Sequence, residues 1–98
     1  METSRFPNRI KEIRVSLGYT QKEVAELLEL AHSGNISRWE KGLVLPSLIH
    51  LIELSILYQT TIEYVYPDMW LIIKKDIEAK VLFAQQEQFK NKLTESMT

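Results

Sequence analysis

Apolar residues along this chain recur at steps of three and four, and alternation at steps of two is not sustained anywhere, so the pattern predicts helices without a sheet. Five short helices and one long one follow from it. The first spans residues 7–17. Phe6, Ile10, Ile13 and Leu17 make one stripe, Pro7 suits a first turn, and Gly18 supplies a left-handed stop. The second begins at Thr20-Gln21-Lys22-Glu23, a capping box in which the Thr20 hydroxyl accepts from the Glu23 amide and the Glu23 carboxylate reaches back. Its inward stripe is Val24, Leu27, Leu28 and Ala31. A turn around His32-Ser33-Gly34 leads into a third helix that runs to Lys41 and stops at Gly42. Ser47 caps a fourth, over 48–58, and Thr61 caps a short fifth that includes Ile62 and Val65. Asp68 caps a long sixth over 69–93. The boundary falls at Pro67: a compact helical domain at 1–67, then a C-terminal helix at 68–98 for packing or dimerisation.

The third helix has two unlike faces. On a wheel, Ile36, Trp39 and Glu40 share one side, which carries the apolar bulk and is expected to pack on the first two helices. Gly34, Ser37, Arg38 and Lys41 share the other. Small residues let a helix approach a surface closely. An arginine can make a forked pair of hydrogen bonds to a guanine edge or hold a phosphate. Most such faces are simply solvated, so the wheel alone does not decide between a groove-reading helix and a surface helix.

Composition narrows the classes. The chain has 98 residues, enough for one small domain with a modest core. It has no cysteine, which excludes disulfides and thiolate metal sites and points to a reducing, cytoplasmic setting. The longest apolar run, Met69 to Ile73, is far too short to span a bilayer, and no signal-peptide pattern opens the sequence. The net charge is −1, so any contact with nucleic acid has to come from a local cluster of cations rather than from the protein as a whole. There is no nucleophile–base set, phosphate loop, metal cluster or cofactor motif, which argues against an enzyme. His32 and His50 lack metal-ligand neighbours and read as ordinary helix or turn residues.

The stretch "TQKEVAELLELAHSGNISRWEKG" resembles the Cro/phage-repressor (XRE-like) type of helix-turn-helix, through Thr20, Gln21, Ala25, Ile36, Ser37, Trp39, Glu40 and Gly42. The likeness extends upstream to Arg14, Leu17, Gly18 and Tyr19 and downstream through "PSLIHLIELSILYQTTIEYV", covering about residues 6–66. It implies an all-α, five-helix lambda-repressor-like DNA-binding domain, here followed by a long C-terminal helix, with the third helix in the major groove. It also implies site roles. Gln21, aided by Lys22, would hold a phosphate at the start of the second helix. Ser33, Gly34, Ser37 and Arg38 would read or line the groove, and Lys41, with Arg9 as a further candidate, would touch the backbone. Arg14 and Glu40 match an ion pair of that family, structural rather than reading.

Three departures from the resemblance carry expectations. The segment from Thr20 to Ile36 is one residue longer than usual, with Glu29 near the place of a tight-turn glycine, so either the second helix lengthens or the turn bulges. Leu43-Val44-Leu45 is apolar where polar residues are usual, which points to burial under another element or a second subunit. On the fourth helix, Leu48, Leu51, Ile52, Leu54 and Tyr58 suffice for a core, leaving Ile49, Ile56 and Leu57 over. The sixth helix, with Trp70, Ile73, Ile77, Val81 and Ala84 in one stripe and Ile72, Leu82, Phe83, Phe89 and Leu93 off it, is expected to fold back over the fourth and fifth, to pair with its twin, or both. The function expected is a sequence-specific transcriptional regulator, a dimeric repressor on double-stranded DNA, without cofactor or metal. The alternative is a protein-interaction module or antitoxin on the same scaffold, with a protein partner.

Overall fold

A computed structural model describes residues 3–96, and among these there are helices and no strand. The helices are α1 (Ile10–Ser16), α2 (Gln21–Leu27), α3 (Gly34–Glu40), α4 (Leu48–Leu57), α5 (Ile62–Val65) and α6 (Pro67–Ser96). The first five gather around one core: Ile10 and Ile13 from α1, Val24, Ala25 and Leu28 from the α2 region, Ile36 and Trp39 from α3, Leu54 and Tyr58 from α4, and Val65 and Tyr66 from the α5 end. Ring contacts tie α4 into this set. Tyr19 stacks on Tyr58 with centroids 6.5 Å apart, and Trp39 lies 5.5 Å from the His50 ring. Arg9 closes the domain: its amide donates to the Val65 carbonyl at 2.9 Å and its guanidinium lies over the Tyr64 ring.

The capping chemistry read from the sequence is present. Thr20 and Glu23 form both bonds of the capping box at 3.0 Å, and the Ser47 and Thr61 hydroxyls accept from the amides of His50 and Tyr64. The Thr20 bonds favour the charged carboxylate and hold the Glu23 pKa below its ordinary value. Other expectations need correction. α1 starts at Ile10, three residues later than Pro7, because Asn8 takes over the start: its side-chain oxygen accepts from the Ile10 amide and its amide donates to the Trp39 carbonyl. Leu17 is exposed, and Tyr19, brought back by the reversal at Gly18, covers the core in its place. Leu27 and Ala31 are exposed as well. Val24, Ala25 and Leu28 fix the inward face of α2, and Ala31 lies past the helix end.

The extra residue between Thr20 and Ile36 is absorbed by the turn, not by the helix. α2 stops at Leu27, and Glu29 adopts a left-handed φ of 55°. The Leu30 amide then donates to the Ala25 carbonyl at 2.8 Å and the Glu29 amide to that of Glu26 at 3.1 Å, a Schellman closure built on a residue with a side chain. At the end of α3 the same geometry falls to Gly42, at φ 71°. Glycine is required there twice over, since a Cβ would also press on Ser4 and stand 2.7 Å from the Phe6 carbonyl oxygen. The Gly42 carbonyl in turn accepts from the amides of Arg5 and Phe6, which seats the N-terminal segment against the end of α3.

A buried ion pair registers α3 against α1. The Arg14 guanidinium donates to both carboxylate oxygens of Glu40, at 2.5 and 3.2 Å, and to the Tyr19 carbonyl at 2.8 Å. Gln21 donates its side-chain amide to Glu40 at 2.9 Å. The side chains of Arg14 and Glu40 are only 11% and 3% exposed, so this is a core feature. The hydrogen bond to Glu40 raises the Arg14 pKa above its ordinary value, against the opposing effect of burial.

The C-terminal half of the chain departs most from expectation. α6 begins at Pro67, which occupies the first helical position, so Asp68 lies inside the first turn and complements the helix dipole rather than capping. The helix does not fold back over α4 and α5. Met69 is the last partly buried residue, and every residue from Trp70 to Glu95 is exposed. The molecule is accordingly elongated, 68 × 31 × 23 Å, with a radius of gyration of 20.1 Å; about 13 Å is usual for a compact chain of this length. On α4 the inward face is set by Leu54 and Tyr58, flanked by Leu51 and Leu57. Leu57 therefore joins the core, and Leu48 and Ile52 stand in solvent beside Ile49 and Ile56. Of the apolar loop, Val44 packs on the core, while Leu45 is exposed at the rim of a groove of about 140 Å³ whose lining also includes Pro46, Ile62, Tyr66, Trp70 and Ile73.

Two stability predictions follow. Glu40→Leu strands a buried guanidinium and is expected to cost on the order of 3–5 kcal/mol in urea unfolding, with much of that recovered by pairing it with Arg14→Met; a single-variant loss below about 1 kcal/mol would contradict the assignment. Glu29→Gly relieves the left-handed strain and is expected to raise stability by up to about 1 kcal/mol. Glu26→Gly, at an exposed position inside α2, should lose about that much. Equal losses from both glycines would contradict the turn geometry.

Candidate nucleic-acid interface

The outer face of α3 is held from behind by two side chains. Ile36 is 0% and Trp39 5% exposed, which fixes the rotation of α3. Glu40, on the same inner side, is spent on Arg14 and Gln21. Glu40 is the one acid between Ser33 and Gly42, so the outward side of α3 is left with cations alone. Arg38 and Lys41 are exposed there, and Ser37 and Gly34, on the same side, are half-buried. The structure thus brings together Ser33, Gly34, Ser37, Arg38 and Lys41 along one short helix and its entry turn, and α6 does not cover them.

Three residues take roles that the sequence pattern had not separated. His32 accepts from the Gly34 amide through Nδ1 at 3.2 Å, which puts the proton of the neutral ring on Nε2, away from that bond. It does the capping that Ser33 does not do, as the Ser33 side chain makes no cap bond. Gly34 matters to this arrangement, because a Cβ there would stand 2.9 Å from His32 Nδ1. Asn35 lies half-buried at the edge of the open face; its place on the wheel, between the inner and outer sides, was the available signal. Gln21 is the third. Its amide is committed to Glu40, which ties α2 to α3, so the side chain acts first as a structural link. Lys22, one residue on, is exposed at the start of α2. Arg9 lies over Tyr64 and is drawn away from the α3 face. No group of acidic or histidine side chains suited to a metal ion occurs among the described residues, and no helix among them is long and apolar enough to cross a membrane.

Comparison with known proteins matches the helical unit that carries this face. A profile of the helix-turn-helix family matches residues 10–65, from the first residue of α1 to the last of α5. The HTH-type transcriptional regulator ImmR of Bacillus subtilis (strain 168) is 41% identical over 56 residues, which is 57% of this chain and 43% of that protein. The chain thus spans less than half the length of this curated relative. No solved structure matches. The family profile takes in more than half of the chain and all five helices of the compact unit, so the chain belongs to the helix-turn-helix family, in its Cro/phage-repressor type, with an all-helical lambda-repressor-like fold.

Proposed function

We propose that the chain is a sequence-specific DNA-binding transcriptional regulator of the cytoplasm, a dimeric repressor that lays α3 in the major groove and acts by occupying its operator rather than by chemistry. The observation that carries this reading is the division of α3: Ile36, Trp39 and Glu40 turned inward, Ser37, Arg38 and Lys41 turned outward, with no acid on the open side. The name of the ImmR relative supports the regulatory reading, as does membership of the helix-turn-helix family. Arg38 is the residue assigned to base reading, with Ser33, Ser37 and Asn35 lining the groove and Gly34 allowing close approach. Lys41 and Lys22 hold phosphates, with the amides at the start of α2 beside Gln21. The runner-up, a protein-interaction module or antitoxin, is favoured by the exposed α4 residues Leu48, Ile49, Ile52 and Ile56 and by the bare α6.

Selecting bound duplexes from a random pool and titrating the winner tests the proposal. Arg38→Ala is expected to weaken the selected duplex by about 1–3 kcal/mol and to relax preference at one base pair. Lys41→Ala is expected to weaken all duplexes alike and to reduce the slope of log affinity against log salt by about 1. An Arg38→Ala protein that binds selected and scrambled duplexes as the wild type does would remove Arg38 from the reading role. Absence of any duplex binding at low salt would favour the interaction module.

A further inference from the structure

One face of α6 is apolar, ordered in a definite pattern, and uncovered by the rest of the chain. Trp70, Ile73, Ile77, Val81 and Ala84 follow one another at steps of three, four, four and three. At about 100° per residue these five fall within an arc of roughly 80°. About half of each of the four larger side chains is open to solvent. The steps read the same in both directions from Ile77. We propose that this face binds a second copy of the same chain, antiparallel, with the two-fold axis passing beside Ile77. The inference rests on the dimeric reading above and says which surface makes the dimer.

Three observations select this occupant and this direction. The first is size. An inverted copy sets Ile77 on the partner's Ile77, Ile73 on the partner's Val81, and the large Trp70 on the small Ala84 of the partner subunit. A parallel copy stacks the two tryptophans at one layer and leaves the two alanines facing each other at another, which packs poorly. The second is charge. Lys74 pairs with Glu78 along one flank of the stripe and Lys80 with Asp76 along the other, at 3.8 and 2.9 Å. Either direction of pairing sets two lysine–acid neighbours and one acid–acid neighbour on each flank, so the flanks accept a second copy, and its direction is set by the sizes along the stripe.

The third is continuity. Trp70 and Ile73 also line the groove bordered by Leu45, Pro46 and Ile62, so the stripe runs into the apolar loop without a polar break. Stripe and groove rim together form one apolar surface, and a stable interface needs about 800 Å² per partner. The geometry has a consequence for the domain at each end. Pro67 lies ten residues before the axis, so the two copies leave the paired helices from points roughly 30 Å apart at 1.5 Å per residue. Successive half-sites on one face of a duplex are about 34 Å apart.

The chain has no cysteine, so single cysteines placed in the full-length protein report the arrangement. Under mild oxidation Ile77→Cys is expected to form a disulfide-linked dimer by itself. Trp70→Cys and Ala84→Cys are each expected to stay single and to link when mixed. Ile56→Cys on α4 and Phe89→Cys, off the stripe, are expected to stay single, and circular dichroism checks that each variant keeps its helices. Self-linking of Trp70→Cys overturns the antiparallel direction, and linking through Ile56→Cys moves the interface to α4. A one-chain mass by light scattering, with no links, removes the dimer. The same samples, titrated with the selected duplex, separate this inference from the functional reading. A monomer that still binds DNA overturns the pairing alone, and an antiparallel linked dimer that binds no DNA overturns the function alone.

Discussion

The carboxylate of Glu40 is the constraint on which the rest of the molecule turns. It sits at the end of α3, almost wholly buried, and receives Arg14 from α1 and Gln21 from α2. One acid thus ties three helices together, and the charge pair is buried deeply enough that neither partner can be left alone at small cost. The same bonds clear the outer side of α3 of negative charge. A chain with a net charge of −1 can present a cationic helix face only by such local sorting, and here the sorting and the packing are one act.

From that anchor the site follows in order. With Glu40 and Trp39 fixed inward, the helical period leaves Arg38 and Lys41 no direction but outward. Asn8 and Gly42 then lock the far end of α3, the one through the Trp39 carbonyl, the other by accepting the N-terminal segment. His32 secures the near end through the Gly34 amide. A seven-residue helix has little stability of its own, so its placement depends on these tertiary ties more than on its propensity.

Much of this was legible in the sequence. The capping box, the serine and threonine caps, the glycine stops and the split of α3 into inner and outer faces depend on neighbours within one or two turns, and such patterns survive in one dimension. The Arg14–Glu40 pair, 26 residues apart, was readable only through the family resemblance. What could not be read depends on which of several apolar residues wins the core. Leu27, Leu48 and Ile52 match their stripes as well as the residues that are buried, and the choice is made by where Leu54, Tyr58 and Val24 meet in space. The role of Gln21 was hidden for a related reason: an amide at a helix start suits a phosphate and a carboxylate equally, and only the approach of Glu40 selects. The outward course of α6 was hidden too, because an apolar helix announces a partner without saying whose surface it is.

The central claim is that the outer side of α3 is the surface that meets DNA. Adding the selected duplex to isotopically labelled protein and following the amide and side-chain NMR signals tests it directly. The account predicts that shifts concentrate on Ser33 to Lys41 and the start of α2, with Ile49, Ile52 and Ile56 unmoved. Shifts centred on α4 or on α6, with Ser37 and Arg38 undisturbed, would contradict it.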